Sequence, residues 1–421
     1  MNKNFQNASF KDFENVPGQD LYTTVNEFHE YLDFLRNNGH LNYRIESVSP
    51  VGPEMDLLLP GHTKTTRSVC LVSNDYLGFS QHPKIKAAVI DGITRFGTGS
   101  GASPAIGGHF IYHKLLEEKI AAFYRKRQGI LYTTGYTANS ATLQCILHKE
   151  DLAILDMAVH ASVYEGALNT SVKTFLHNDL DMLEKVLKNA QDKYRTRMVV
   201  IDGVYSQDGD LAPIGAIADL AHSYGAYLVV DDAHGIGVIG NTGRGVIELE
   251  NAFDKVDIIT GTFSKALGNI GGYVLGEPNL IEYLKFQSKQ HLFSTTATPA
   301  IFGILKAIDL VDEEPEWRTK LWNNINYLKA GLISAGFDVG TTASAVIPVK
   351  IGDIPKTLEA GRLLLNSGIY TNPIMYPAVS KKNARIRMNM MATHSFEQLD
   401  RVLDAFKQID QILKISTNYH A

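Results

Sequence analysis

Five short segments in the middle of the chain are apolar at nearly every position, and helical patterns separate them. These runs cover residues 130–132, 153–155, 198–201, 227–230 and 258–259. Strands that are apolar throughout are buried on both faces, which is typical of a parallel sheet covered by helices. The pattern therefore predicts an α/β fold with a mostly parallel central sheet.

Other segments have helical or alternating patterns. A helix is predicted to begin at Pro83, others at residues 112–124, 25–35 and 317–335, and a last one at 395–413. Alternating polar and apolar residues predict strands at 345–349, 369–371 and 385–389. We therefore divide the chain into an N-terminal arm or cap (1–70), a large domain (71–310) and a small C-terminal α+β domain (311–421).

Composition narrows the class of protein. The 421 residues are 44% hydrophobic and 20% charged, with a formal net charge of −5 and two cysteines. These values are typical of a soluble globular protein in a reducing compartment and give no support to nucleic-acid binding. No apolar stretch is long enough to span a membrane. We expect a cytoplasmic protein without a transmembrane segment or a metal site.

The candidate chemistry lies where the predicted strands end. Ligands of parallel sheets bind beyond the carboxyl ends of the strands, and Asp231, His234 and Lys265 all follow such ends. A lysine amine can form a Schiff base with an aldehyde, and an acid can keep a pyridine nitrogen protonated. This combination is what pyridoxal 5'-phosphate (PLP) chemistry requires, so PLP is the expected cofactor.

A phosphate group needs backbone N–H groups at the start of a helix. Residues 133–139 (TTGYTAN) follow a predicted strand and lead into a helix, so Gly135 and Tyr136 are candidates, and Thr262 could add a hydroxyl. An ordinary strand–turn–helix corner is the alternative interpretation. The glycine cluster at 97–101 follows a helix instead of a strand, which argues against a dinucleotide site.

Five further side chains have a functional and a structural interpretation. His160 could stack on a flat ring, His234 could bind the ring's phenolic oxygen, and Ser206 lies on a loop after a central strand. Packing or turn formation is the alternative for each. Arg385 and Arg387 alternate along one strand and face the same side, where a guanidinium would suit a substrate carboxylate. A surface ion pair is their alternative role.

Taken together, these segments resemble the α-oxoamine synthase family of fold-type I PLP-dependent enzymes. The resemblance covers the chain from about residue 70 to its end. The matching segments are SNDYLG at 73–78, HAS at 160–162, GVYSQDG at 203–209, DDAHG at 231–235, GRG at 243–245, GTFSK at 261–265, ARIR at 384–387 and ATH at 392–394.

The resemblance implies an acyltransferase that condenses a small amino acid with an acyl-CoA, releasing CO2 and free CoA and giving an α-amino ketone. It implies that Lys265 is the Schiff-base lysine and acid–base group, and that His160 stacks on the ring. It further implies that Asp231 pairs with the ring nitrogen while Ser206 and His234 bind near the phenolic oxygen.

For the substrates, the resemblance implies that Arg387 anchors the carboxylate, with Arg385 as the second candidate. Family members are homodimers with the site at the subunit interface. Asn74, as a substrate-binding residue, and Thr295, as a cofactor-binding residue, are therefore expected to serve the neighbouring subunit's site.

Different segments of the chain resemble family members that use different substrates. Segments 154–156, 160–164 and 262–265 look like serine palmitoyltransferase, whereas 344–349 and 376–379 look like 2-amino-3-ketobutyrate CoA ligase. Proline at position 104 departs from the Gly-Ser-Arg of several relatives. We expect serine and a long-chain acyl-CoA. Glycine with acetyl-CoA, or alanine with a pimeloyl thioester as in 8-amino-7-oxononanoate synthase, are alternatives.

Two interpretations lie outside the family. One is a different fold-type I enzyme, such as an aldolase or an aminotransferase. The other is a catalytically inactive regulatory subunit.

Overall fold

The computed structural model describes residue 5 and residues 8–294 and 300–417. Short 3₁₀ helices cover Phe10–Phe13, Phe79–Gln81 and Lys381–Asn383. The α-helices in chain order are α1 (Leu21–Asn37), α2 (Pro83–Phe96), α3 (Ile111–Phe123), α4 (Gly135–Ile146), α5 (Ala161–Gly166), α6 (Leu180–Ala190), α7 (Ile214–Ser223), α8 (Gly245–Leu249), α9 (Pro278–Gln287), α10 (Lys289–Phe293), α11 (Ile301–Glu313), α12 (Glu316–Ser334), α13 (Ile354–Asn366) and α14 (Phe396–Leu413).

The strands form three sheets within the described residues. In chain order they are β1 (Glu46–Ser47), β2 (Glu54–Leu58), β3 (Thr65–Cys70), β4 (Gln128–Tyr132), β5 (Leu152–Asp156), β6 (Ser171–Phe175), β7 (Arg197–Asp202), β8 (Tyr227–Asp231), β9 (Ile258–Thr262), β10 (Gly272–Gly276), β11 (Val346–Lys350), β12 (Ile369–Tyr370), β13 (Asn372–Ile374) and β14 (Arg385–Asn389). The orders are β1-β2-β3-β12, β4-β10-β9-β8-β7-β5-β6 and β11-β14-β13.

The chain divides into two compact units. The large unit contains residues 74–206 and 210–321, and with them the whole seven-stranded sheet. The small unit contains residues 1–73, 207–209 and 322–421, and with them the other two sheets. The contacts thus group the predicted N-terminal arm with the C-terminal residues. The three-part division 1–70, 71–310 and 311–421 stays a prediction.

The seven-stranded sheet confirms the predicted fold class. Adjacent strands are parallel from β9 through β8, β7 and β5 to β6, and only β10 runs antiparallel to its two neighbours, β9 and β4. Every residue of β5 and β9 is buried, as their apolar composition predicts. The carboxyl ends of β5, β7, β8 and β9 therefore lie along one edge of the sheet.

The sequence missed two strands of this sheet and three in the N-terminal region. Strand β6 is an edge strand with alternating buried and exposed residues, and β10 is short with a glycine at each end. Strands β2 and β3 carry many polar residues, because β2 is only partly buried and the first half of β3 is largely exposed. Within the arm at 1–70 only the helix at 25–35 was predicted, so β1, β2 and β3 are additions to that prediction. None of the described helices combines the length and the apolar character needed to cross a membrane.

Candidate active site

Residues at the carboxyl edge of the large sheet surround a cavity of about 230 Å³. It brings together most of the candidates predicted from the sequence, namely Lys265, His160, Asp231, His234, Gly135, Tyr136, Ser206 and Thr262. The remaining lining residues are Thr134, Asn139, Asp202, Val204, Ala233 and Ser264. All of them belong to the large unit. Their convergence follows from the parallel strands, whose ends share one edge.

Lys265 lies in the loop that follows β9. Its carbonyl accepts a hydrogen bond from the N–H of Gly268 at 2.9 Å, and the apolar side chains on either side of it are buried. Gly268 has a φ of +63°, and a Cβ there would lie 2.4 Å from the backbone nitrogen of Ser80. A glycine is required at this turn, so the sequence fixes where the loop presents Lys265.

Helix α4 begins at the cavity and provides an anion site. The hydroxyl of Thr134 caps the helix by accepting the N–H of Thr137 at 3.0 Å. First-turn N–H groups of a helix have no intrahelical acceptor and favour an anion. The hydroxyl of Thr262 lies beside this turn, because a Cβ on Gly135 would approach the Thr262 Cβ to 2.6 Å. The Ser264 hydroxyl is 2.7 Å from that of Thr262.

Two carboxyl groups share the cavity. Asp231 and Asp202 are direct neighbours in the parallel pairing of β8 with β7, and both are more than 90% buried. Asp231 accepts hydrogen bonds from the Asn139 amide at 2.6 Å and from the Ala233 N–H at 3.0 Å. Burial, and then repulsion from Asp231, raise the pKa of Asp202 well above its usual value. Burial and the neighbouring carboxyl group thus favour the protonated form of Asp202, whereas Asp231 has two N–H donors.

His160 precedes α5, lines the cavity and has an exposed side chain. Its Nδ1 lies 2.8 Å from the Ser162 hydroxyl and accepts the Ser162 N–H at 3.3 Å. Because this nitrogen accepts, the ring proton is on Nε2. Desolvation in the cavity lowers the pKa of His160, nearby Asp231 opposes that effect, and Lys265 adds to it. His160 is therefore a neutral imidazole, which is suited to lie against a flat aromatic ring.

His234 is held from behind by a buried tyrosine. Its Nδ1 is 2.6 Å from the hydroxyl of Tyr76, which also donates towards the Asn74 amide oxygen at 3.2 Å. Asn74 thus lies beside the cavity residue His234 of its own chain. The sequence motif at 73–78 is explained in part by this contact.

The residues present fit PLP. The start of α4 with the Thr262 and Ser264 hydroxyls suits a phosphate, and Asp231 is a buried carboxylate that needs a cationic partner. Neutral His160 and the amine of Lys265 complete the set that a pyridine aldehyde requires. The described residues contain no cluster of side chains suited to a metal ion.

Comparison with known proteins agrees with this geometry. The family of class I and II aminotransferases matches residues 67–406. The chain is 40% identical over 385 residues to the 8-amino-7-oxononanoate synthase of Alkaliphilus metalliredigens, covering 91% of this chain and 96% of that protein. It is 41% identical over 394 residues to the enzyme of the same name from Alkaliphilus oremlandii, covering 93% and 98%. The chain belongs to the α-oxoamine synthases of the aminotransferase class I and II family.

Solved structures of the family have the same fold as this α-oxoamine synthase. Serine palmitoyltransferase from S. paucimobilis, with a PLP–myriocin adduct, superimposes with a TM-score of 0.88 at 28% identity and covers 94% of this chain and 100% of that one. The Sphingomonas wittichii serine palmitoyltransferase gives the same TM-score at 29% identity, with the same coverage. The protein is thus a PLP-dependent acyltransferase with a type I fold, as the sequence predicts.

The two arginines of this α-oxoamine synthase lie in the small unit, on β14. Arg385 is 2% exposed and donates to Asp208 at 2.5 Å, to the Gln207 carbonyl at 3.1 Å and to the Asn383 carbonyl at 2.8 Å. Arg387 is 8% exposed. Arg385 thus does form an ion pair, in which its own side chain is buried and Asp208 is partly exposed. Thr295 lies outside the described residues.

Sequence reasoning gave no role to Asn139, and it placed Asp202 at the common strand edge without assigning it a function. Asn139 lies one helical turn after Gly135, a spacing that puts both on one side of α4. Asp202 ends β7 as Asp231 ends β8, and the cavity contains both residues. Asparagine in a helix gives no signal by itself, because its partners come from β8, β9 and α5.

Proposed function

We propose that this chain is an 8-amino-7-oxononanoate synthase, which condenses alanine with a pimeloyl thioester. The observation that carries the proposal is the identity of 40–41% to relatives of that name, with more than 90% of both chains covered. The serine palmitoyltransferase structures are 28–29% identical to the chain. The relatives therefore favour this alternative over the serine and long-chain acyl-CoA expected from the sequence.

In the proposed reaction a C–C bond forms between the alanine α-carbon and the thioester carbonyl carbon. The C–S bond breaks, the thiol leaves, and the alanine carboxylate is lost as CO2. PLP, when bound, supplies an aldehyde that captures amines and a ring that accepts electrons from the α-carbon. The side chains then have to bind, orient and move protons.

Lys265 is the proposed base that takes the α-proton of alanine. An amine acts as a base near neutrality when desolvation and neighbouring charge disfavour its protonated form. Lys265 is half-buried and lines the cavity that Asp231 and His160 share. The fixed loop after β9 supports this role, because a base must stay within hydrogen-bond reach of the proton it removes.

The other residues bind and orient in this proposal. Gly135, Tyr136 and Thr262 hold the phosphate, Asp231 pairs with the ring nitrogen, His160 lies on the ring face, and Ser206 and His234 bind near the phenolic oxygen. Arg387 anchors the alanine carboxylate, with Arg385 as second candidate, and Asn74 contributes to substrate binding. A cytoplasmic location is part of the same proposal.

A matrix of substrates tests the function. Alanine, serine and glycine are each combined with pimeloyl-, palmitoyl- and acetyl-CoA, with thiol release and product mass as readouts. We expect alanine with pimeloyl-CoA to give the highest kcat/KM. A higher value for serine with palmitoyl-CoA would restore the first expectation. If no CoA thioester reacts, pimeloyl bound to an acyl carrier protein is the remaining donor to measure.

Replacement of Lys265 by alanine tests the site itself. We expect Lys265→Ala to lose turnover by about 10³-fold or more, since it removes both the covalent attachment and the base. Borohydride should fix PLP to the wild-type chain, seen as added mass, but not to the variant. Lys185→Ala, at an exposed position on α6, is the control. Covalent fixation in Lys265→Ala would refute the assignment.

We also infer a homodimer with shared active sites. Apolar side chains are exposed on α2 (Ile90, Ile93) and on α3 (Ile111, Leu115), which supports burial in an interface. Sedimentation should give twice the chain mass. If Thr295 serves the neighbour's site, co-expression of Thr295→Ala with Lys265→Ala should yield more activity than the two parents combined. A monomer, or no recovery, would contradict shared sites.

A further inference from the structure

Asn139 is buried at the centre of the cavity edge, yet the proposed chemistry gives it no role. It lies in the second turn of α4, is 4% exposed and lines the cavity. Its partners come from three other elements: Asp231 ends β8, Thr260 lies in β9, and Ser162 lies in α5. One short side chain therefore connects four separate segments of the large unit.

The hydrogen bonds of Asn139 have only one consistent orientation. Its Nδ2 lies 2.6 Å from Asp231 Oδ2 and 2.9 Å from the Ser162 hydroxyl oxygen. A carboxylate can only accept, so the amide nitrogen must face Asp231. The amide oxygen then faces Thr260, whose hydroxyl donates to it at 2.5 Å. Both amide N–H groups are used, and both point towards the cofactor side of the network.

Ser162 extends this network to His160. Its oxygen accepts from Asn139, so its single hydrogen is available for His160 Nδ1, 2.8 Å away. The orientation of the imidazole thus depends in part on a hydroxyl that Asn139 holds, while the Ser162 backbone N–H supports the same Nε2–H tautomer. Asn139 contacts Asp231 directly and acts on His160 through one intermediate.

We propose that Asn139 is a positioning residue that sets the orientation of Asp231 and of His160 relative to one another. The inference rests on the roles proposed above for these two side chains. The pyridine ring of PLP would be bound by Asp231 at its nitrogen and by His160 on its face, so both side chains have to be in place at the same time. A buried polar network with every donor satisfied is rigid enough to provide that placement.

Three variants separate this role from simple stabilisation of α4. Asn139→Ala removes both links, Ser162→Ala removes only the link to His160, and Thr260→Val removes only the support of the amide oxygen. PLP dissociation constants, the visible spectrum of bound PLP and melting temperature are measured for each. We expect Asn139→Ala to weaken PLP binding by about 10- to 100-fold, Ser162→Ala by less, and Thr260→Val least.

A double-variant cycle gives the sharper test. If Asn139 acts through Asp231, Asn139→Ala should weaken PLP binding little further in an Asp231→Asn background. The single variant should lower kcat for alanine with nearly constant KM. Asn139→Asp keeps the size of the side chain and places a second carboxyl against Asp231, so we expect its PLP affinity to fall at least as far.

Two results would overturn the inference. One is wild-type PLP affinity in both Asn139 variants. The other combines two observations. PLP affinity falls in proportion to the melting temperature in both Asn139→Ala and Thr260→Val, and the losses of PLP affinity from Asn139→Ala and Asp231→Asn are additive in the double variant. PLP affinity does not depend on the acyl substrate, so a different product in the substrate matrix leaves this inference intact. Failure of the wild-type chain to bind PLP would instead refute the proposed function.

Discussion

The carboxyl edge of the large sheet and strand β14 of the small unit present their functional candidates in different ways. At the edge, the ends of β7, β8 and β9 place Asp202, Asp231 and Thr262 around one cavity. On β14, Arg385 and Arg387 face one side of the same strand. At the edge the topology selects the site, whereas on the strand the neighbours of each arginine decide its role.

Neighbours matter at the sheet edge as well. Asp231 and Asp202 are adjacent and buried to a similar extent, but the Asn139 amide donates to Asp231 at 2.6 Å. Asp202 has a backbone N–H, that of His160, at 3.5 Å. Burial and the charge of Asp231 consequently raise the pKa of Asp202. Position in the sheet places both carboxyl groups at the site, and their hydrogen-bond donors differ.

Exchange of each aspartate for asparagine tests this difference and should have the largest effect. Asp231→Asn removes the carboxylate expected to face the ring nitrogen. Breaking a buried ion pair costs about 3–5 kcal/mol, so we expect turnover to fall by about 100-fold or more. Burial and the neighbouring Asp231 favour the protonated form of Asp202, so Asp202→Asn introduces a neutral group of the same shape, and we expect about a threefold loss or less.

Turnover with alanine and pimeloyl-CoA, and PLP occupancy from the visible absorbance, are the measurements. The two variants control for one another, because they change neighbouring side chains in the same way. Equal losses would mean that Asp202 is charged in the enzyme, and the comparison at the sheet edge would fail.

The arginines of β14 should show the second largest effect. Arg385 is held by Asp208 and two carbonyl groups, so we expect Arg385→Met to lower the free energy of unfolding by about 2 kcal/mol. Arg387→Met should instead raise the KM for alanine by about 10- to 100-fold, since a charge-assisted hydrogen bond to a carboxylate is lost. Steady-state kinetics and thermal unfolding are measured on both. A larger KM effect for Arg385→Met would exchange the roles.

These results also show how far the sequence could predict the molecule. Strands that are apolar throughout gave the correct sheet, and the residues that follow them gave most of the cavity. Strand β6 was missed because its apolar residues, Val172 and Phe175, do not alternate with polar ones, and β10 because its terminal glycines give no apolar signal. Local pattern identifies strands buried on both faces and is weak for edge strands.

Within the site, the sequence predicted side chains whose chemistry is unusual at a strand end. Lys265 and Asp231 are such side chains, because an amine and a carboxyl group are unusual next to a buried strand. Asn139 is not, since its role depends on Asp231, Ser162 and Thr260 meeting it in space. Alternation along β14 does not by itself separate Arg385 from Arg387, since the Asp208 partner of Arg385 comes from a distant segment. Interactions between distant segments are therefore the part that periodicity and motif could not supply.

A third prediction concerns the support of the sheet edge and should have the smallest effect on activity at neutral pH. His177 lies between two acids, with Nε2 2.8 Å from Asp210 and Nδ1 3.2 Å from Asp156. Asp210 closes the loop that carries Ser206, since its carbonyl accepts the Tyr205 N–H at 3.0 Å. Burial alone would lower the pKa of His177, but the hydrogen bonds to both acids outweigh it and raise the pKa to about 10.

A histidine with a raised pKa in the folded state stabilises the protein fully below its unfolded value of 6.5, and this contribution is lost as the pH rises through about 10. A rise of the pKa from 6.5 to about 10 corresponds to about 5 kcal/mol at most. Because His177 is partly exposed to solvent, we expect wild-type enzyme to lose about 1–2 kcal/mol of unfolding free energy over that window, relative to His177→Gln. Denaturant unfolding at several pH values measures it. His222→Gln, an exposed histidine beside Asp257, is the control and should keep the wild-type slope. If the free energy of unfolding changes with pH in the same way in wild type and His177→Gln, the two acids do not hold a charged His177. The loop that carries Ser206 would then be held by its backbone hydrogen bonds alone.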